Sequence, residues 1–150
     1  MDNSFIQELE WREMIQDMTP GLPERLQQGM VTGYIGFDPT APSLTIGNYV
    51  QVMLLLHFQR CGHKPIVLMG GATGRIGDPS GKDAERELKT YEELDRNLAF
   101  QSAQMKSLLD FDNKDNGAIL VNNLDFYKNM NALEFLRDVG KHITINYMMA

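Results

Sequence analysis

The spacing of apolar positions changes along this chain, and each change marks an element. Trp11, Met14, Ile15 and Met18 recur at helical spacing. They follow Ser4, which together with Gln7 has the form of a capping box. A helix is therefore expected over residues 4–18, ended by Pro20 and Gly21. Pro23 opens a short second helix and Gly29 closes it. Residues 31–37 are short, β-branched or aromatic, and rich in glycine, which reads as a buried strand. After the loop Asp38-Pro39-Thr40-Ala41-Pro42-Ser43, residues 47–61 read as a mostly buried helix. Val50, Met53, Leu54 and Phe58 are among its apolar positions, and Gly62 stops it. Residues 65–69 form a second strand, cut off by Gly70-Gly71, and a glycine-rich loop runs on to Gly81. Thr90 and Glu93 repeat the capping-box pattern, and Leu94, Leu98, Met105, Leu108 and Leu109 carry a helix to about Asp110. The polar stretch 112–117 reads as a surface connection, residues 118–121 as a third strand, and Asn131 as the cap of a last helix containing Leu133, Leu136 and Val139.

Helices and strands thus alternate, which predicts an α/β layer fold with a parallel sheet. Composition narrows the class. The chain has 150 residues, 43% hydrophobic and 23% charged, a globular balance that excludes disorder or a fibrous repeat. The longest apolar run, residues 52–56, is too short to span a bilayer, so no membrane association is expected. One cysteine, Cys61, cannot make an internal disulfide and points to a reducing, cytoplasmic setting. The net charge of -6 argues against a broad nucleic-acid surface, although a few aimed cations and amides suffice to hold a phosphate. Ten methionines read as adaptable core packing.

Ligands of open parallel sheets bind beyond the carboxyl ends of the strands, and two loops there carry unusual residues. In the first, Gly36 permits close backbone approach, and Thr40, Thr45 and Asn48 surround a predicted helix N-terminus suited to phosphate. Plain helix capping by Thr45 or Asn48 explains the same residues equally well. The second loop fits neither a Walker A nor a G-x-G-x-x-G pattern: its glycines fall at Gly71, Gly74 and Gly77, and Gly81-Lys82 lacks the rest of the motif. Lys82 and Arg86 are four residues apart and share a face on a helical turn, an arrangement that favours an anion between them, with Glu85 as the alternative partner. His57, His63 and His142 have no metal-ligand spacing, no G-x-S-x-G elbow is present, and Cys61 reads as a packing residue.

Taken together, the two loops are specific. Tyr34-x-Gly36-Phe37-Asp38-Pro39-Thr40-Ala41-x-Ser43-Leu44 with Ile46-Gly47 resembles the adenylate-site loop of the bacterial tyrosyl-tRNA synthetases. Gly70-Gly71-Ala72-Thr73-Gly74-x-Ile76-Gly77-Asp78-Pro79-Ser80-Gly81-Lys82-x-x-x-Arg86 resembles the second loop of the same family. The segments Phe135 to His142 and Asn146 to Met149 resemble its later part. One departure stands out. The His-Ile-Gly-His signature of class I synthetases reads Thr45-Ile46-Gly47-Asn48, a form often carried by tryptophanyl enzymes. A threonine hydroxyl reaches less far than imidazole and carries no charge.

The resemblance implies a Rossmann-like sheet with flanking helices, of which residues 1–150 are the N-terminal part of a catalytic domain. The rest of that domain and a C-terminal tRNA-binding domain would be absent, and this piece alone inactive. It implies a tyrosine–tRNA ligase that takes L-tyrosine, ATP as substrate with accompanying Mg2+, and tRNA(Tyr). No dedicated protein metal site is implied, and the complete enzyme would be a homodimer. By carry-over, Tyr34, Asp78 and Asn123 lie at the tyrosine pocket. Gly36, Asp38, Thr40, Gly47 and Asn48 line the ATP side. Thr40, Thr45, Lys82 and Arg86 serve catalysis. A tryptophanyl-type synthetase and a non-catalytic nucleotide-binding homologue are the alternatives.

Overall fold

The computed structural model describes residues 4–76 and 89–149. Three strands, β1 (Thr32–Phe37), β2 (Lys64–Met69) and β3 (Ile119–Asn122), form one parallel sheet in the order β1-β2-β3. Parallel neighbours need long crossovers. These are supplied by α3 (Ile46–Arg60) between β1 and β2 and by α5 (Tyr91–Leu108) between β2 and β3. The expected α/β parallel architecture is therefore present.

The core lies between one sheet face and these two helices. Gly33, Ile35 and Phe37 pair in register with Pro65, Val67 and Met69 and share their face. Phe37, Val67 and Met69 pack with Val52 and Leu55 of α3, Met105 of α5 and Leu109. Each such side chain contributes roughly 1.5–3 kcal/mol on burial. Gly33 leaves room for Phe58, whose ring would lie 3.2 Å from a Cβ placed there. Met69 and Met105 are fully buried, as core packing requires, whereas Met148 and Met149 are exposed.

Four expectations need correction. The first helix, α1 (Phe5–Trp11), keeps its capping box at Ser4 but stops seven residues early. Glu13 enters the left-handed region at φ 56°. Its amide bonds to the Glu10 carbonyl and the Met14 amide to the Leu9 carbonyl, the paired bonds of a Schellman turn. Met14, Ile15 and Met18 imitate a helical repeat because the chain folds back, so that with Phe5, Ile6 and Leu9 they line a 320 Å³ cavity against β1 and α3. Strand β1 is not buried: it lies at one side of the described sheet, and exposure alternates along it, with Tyr34 69% exposed. Val50 on α3 faces outward, and the buried positions are Val52, Leu55, His57, Phe58 and Gln59. The glycine-rich stretch contains one helical turn, α4 (Thr73–Ile76).

Shorter elements complete the described chain. The proline-opened helix is α2 (Leu22–Gln27). Beyond β3 come α6 (Leu124–Tyr127), α7 (Ala132–Asp138) capped by Asn131, a 3-10 turn (Gly140–His142) and α8 (Ile145–Met149). The polar loop after α5 is pinned from below by Gln59. That side chain donates to the carbonyls of Asp110 and Asn116 and accepts from the Asp110 amide. Among the described residues, no helix is long and apolar enough to cross a membrane.

Candidate functional site at the strand ends

Register decides what meets at the carboxyl edge. Phe37, Met69 and Asn122 are aligned, so the residues after them leave the sheet side by side. Asp38 Oδ1 accepts a hydrogen bond from Thr73 Oγ1 at 2.6 Å. Asn123 Nδ2 donates to the same Thr73 oxygen at 3.2 Å, and its Oδ1 accepts from the Ala72 amide at 2.7 Å. The glycines after β2 make room for the side chains that gather here. A Cβ at Gly70 would stand 1.9 Å from Asp38 Oδ1 and 2.6 Å from Thr73 Oγ1, and one at Gly71 would stand 2.2 Å from Asn122 Oδ1.

The loop from Asp38 to Leu44 is held by α5. Asn97 Nδ2 donates to the Pro39 carbonyl at 3.1 Å, and Gln101 Nε2 to the Ala41 carbonyl at 2.9 Å. Gln104 Oε1 accepts from the Leu44 amide at 2.9 Å. These three residues occupy one stripe of the helix. Asn97 and Gln101 are 1% and 2% exposed, so each buried amide donates to a loop carbonyl. Thr40 is exposed on this loop, its amide bonded to the Asp38 carbonyl at 2.8 Å. Arg75 ties α4 to α5 through Asp95 at 3.0 Å and lies 4.5 Å from the Tyr91 ring centre.

At the start of α3, Thr45 and Asn48 form a reciprocal capping box. Thr45 Oγ1 accepts from the Asn48 amide at 3.4 Å and donates to Asn48 Oδ1 at 2.9 Å, while the Thr45 amide donates to Asn48 Oδ1 at 3.0 Å. The capping role weighed for these residues is thus realised. Gly47 lies in the same first turn, where helix amides lack intrahelical partners. A third group sits on the other sheet face. Tyr34 and Gly36 stand in register with Ile66 and Leu68, and the nearest atom to a Cβ at Gly36 would be 4.0 Å away.

The sequence-selected residues therefore fall into three groups. Asp38 and Asn123 meet through Thr73, with Thr40 exposed on the loop just after Asp38; Thr45 with Gly47 and Asn48 opens α3; and Tyr34 with Gly36 lies on the open sheet face. Asp78, Lys82 and Arg86 lie outside the described residues. Thr73 and the α5 amides were missed. Thr73 sits in the second loop that carries the resemblance, but no role was assigned to it there. The amides were visible as Asn97 and Gln101 interrupting the apolar stripe of Leu94, Leu98 and Met105.

His57, Cys61 and His63 lie at the opposite edge, before β2. Burial pushes the pKa of both histidines down and that of the Cys61 thiol up. Among the described residues, no group of three or more His, Cys, Asp or Glu is placed to hold a metal ion. The carboxyl edge offers hydroxyls, an amide, a carboxylate and helix amides. That set suits binding and orienting a polar ligand by electrostatics rather than covalent attack.

These features match a known class. The family model described as "tRNA synthetases class I (W and Y)" matches residues 26–150, and the chain belongs to this family. Among individual relatives, the tyrosine–tRNA ligase of Amoebophilus asiaticus is 58% identical over 146 residues, covering 97% of this chain and 34% of that protein. The tyrosine–tRNA ligase of Bacteroides fragilis is 56% identical over 148 residues, covering 98% and 34%. A solved structure of a C-terminally truncated mitochondrial tyrosyl-tRNA synthetase from Aspergillus nidulans superposes with a TM-score of 0.84 at 31% identity, covering 97% of this chain and 44% of that one. The chain spans about a third of the length of the curated relatives it matches.

Proposed function

We propose that the protein containing this chain is a tyrosine–tRNA ligase, with this chain as the N-terminal part of its catalytic domain. The observation that carries the reading is the convergence of Asp38, Thr73 and Asn123 at the carboxyl edge of a class I synthetase sheet. The substrate carboxylate attacks the α-phosphate of ATP, the bond to the pyrophosphate oxygen breaks, and tyrosyl-adenylate forms. A ribose hydroxyl at the 3′ end of tRNA(Tyr) then takes the tyrosyl group and AMP leaves. The enzyme orients the reactants and stabilises charge building on phosphate.

Tyr34 and Asn123 line the tyrosine pocket, and Asp78 binds the substrate ammonium, a charge-assisted bond contributing about 1.5–3 kcal/mol. Gly36, Asp38, Thr40, Gly47 and Asn48 line the ATP side, where Mg2+ arrives with the nucleotide. Thr40, Thr45, Lys82 and Arg86 meet the phosphates. Because Thr45 is short and uncharged, more of the pyrophosphate stabilisation falls to Lys82 and Arg86. tRNA is held mainly by parts outside this chain, and the enzyme works in the cytoplasm as a homodimer. Support for the dimer comes from Leu133, Leu136, Ile145, Tyr147 and Met148, apolar side chains each more than three-fifths exposed.

Amino-acid-dependent ATP–pyrophosphate exchange by the full-length enzyme tests the reading. Exchange with tyrosine is expected, and exchange with tryptophan alone would transfer the assignment to the tryptophanyl branch. Lys82→Ala is expected to slow adenylate formation at least a hundredfold, in line with the loss of one preorganised phosphate contact, while leaving tyrosine affinity within about threefold. Equal loss of both would remove Lys82 from that role.

A further inference from the structure

Thr73 stands where the two halves of the proposed site touch. Its oxygen donates to Asp38, assigned to the ATP side, and accepts from Asn123, assigned to the tyrosine side. A hydroxyl has one proton to give and two lone pairs, so a single atom can serve both neighbours at once. The 2.6 Å bond to the carboxylate is short, as charge-assisted bonds are.

The surroundings fix this geometry. Thr73 opens α4, whose start is pinned when the Gly74 amide bonds to the Gly70 carbonyl at 2.8 Å. Gly70 has no side chain where one would strike both Asp38 Oδ1 and Thr73 Oγ1. Asn123 is held from its other end by the Ala72 amide, and its own amide bonds to the Met69 carbonyl at 3.0 Å. The carboxylate and the amide are therefore referred to one oxygen on a fixed turn, and displacement of either pulls on the other.

We infer that Thr73 is a positioning residue that registers the ATP-side carboxylate of Asp38 against the tyrosine-side amide of Asn123. This inference rests on the ligase reading above. It predicts a signature that neither a substrate contact nor a packing role produces. Removing the hydroxyl impairs recognition of both substrates together, and any side chain that restores the hydroxyl restores both.

The test is pyrophosphate exchange by the full-length enzyme carrying Thr73→Val or Thr73→Ser, with the Michaelis constants for tyrosine and ATP measured separately. Thr73→Val is expected to raise both constants about tenfold, the order expected for one charge-assisted bond. Thr73→Ser should keep both within about twofold, and both variants should melt within about 2 °C of the parent. Thr73 is exposed, so the fold should tolerate the valine even though Asp38 must draw back from the new methyl; if that variant is recovered unfolded, Thr73→Ala is measured in its place. A rise confined to one substrate, no rise at all, or a serine variant as damaged as the valine variant overturns the inference while the ligase reading stands. A wild-type enzyme without tyrosine-dependent exchange overturns the ligase reading and this inference with it.

Discussion

Glu13 adopts a backbone conformation that glycine takes at no steric cost. At φ 56° its Cβ crowds the following carbonyl, a penalty of about 1–2 kcal/mol for an ordinary residue. The Schellman bonds it completes hold it there. Glu13→Gly should therefore raise stability by about 0.5–1 kcal/mol, part of the relief being offset by the freer unfolded chain. A urea midpoint that falls, or stays unchanged, would show that the side chain compensates for the strain. The same residue explains why the end of α1 was illegible in the sequence. Stop signals are read from Gly, Asn or Pro, and a glutamate at that position gives none. Thr73 was hidden for a different reason: in a glycine-rich loop a lone threonine gives no periodic or spacing signal, and its partners Asp38 and Asn123 are distant in the chain.

At the scale of elements, α1 is docked on α3 by an aromatic contact and a polar one. The rings of Phe5 and Phe58 lie edge to face with centres 5.1 Å apart. Glu8 Oε1 bonds to Arg12 at 2.7 Å and lies 3.4 Å from Nδ1 of the buried His57. Burial, and then Arg12, hold the pKa of His57 below its ordinary value, and Arg60 adds to this while Glu8 opposes it. His63, stacked on Phe58 at 4.7 Å, is lowered by burial and by Arg25. Both histidines bind protons less readily folded than unfolded, so stability is present above the unfolded pKa of about 6.5 and is lost as pH falls below it. Glu8, held low chiefly by Arg12, loses its contribution only under more acidic conditions. The melting temperature should thus fall between pH 7 and pH 5, and the paired substitution His57→Gln with His63→Gln should flatten that slope. A slope unaltered in the pair would exclude these histidines as its source. The helices and strands themselves were largely legible, because each period persists over several residues. Their faces were less so: Val50 fits an apolar position yet points outward, since one apolar residue does not say which side of a helix the sheet occupies.

For the whole molecule, the parallel order followed from alternation of helix and strand, since such connections admit few topologies. What alternation cannot express is cover. The row Tyr34, Ile66 and Ile119 and the row Gly36, Leu68 and Val121 line a sheet face that is only partly buried, although parallel sheets are usually covered on both sides. The region beyond β3 is similar, with Leu133 and Tyr147 about four-fifths exposed. On the proposed dimer, Leu136→Glu in the full-length protein should shift its sedimentation from dimer to monomer, because a carboxylate buried at an apolar contact is left without a partner. A dimer that persists at the same concentration would assign this surface to packing within the subunit. The α5 amides have a different consequence. Among the described residues, Asn97, Gln101 and Gln104 bond through their side chains to main-chain groups of Pro39, Ala41 and Leu44. Their hold does not depend on which side chains the loop displays, so the path of the chain along the carboxyl edge of the sheet is set separately from the chemistry displayed on it.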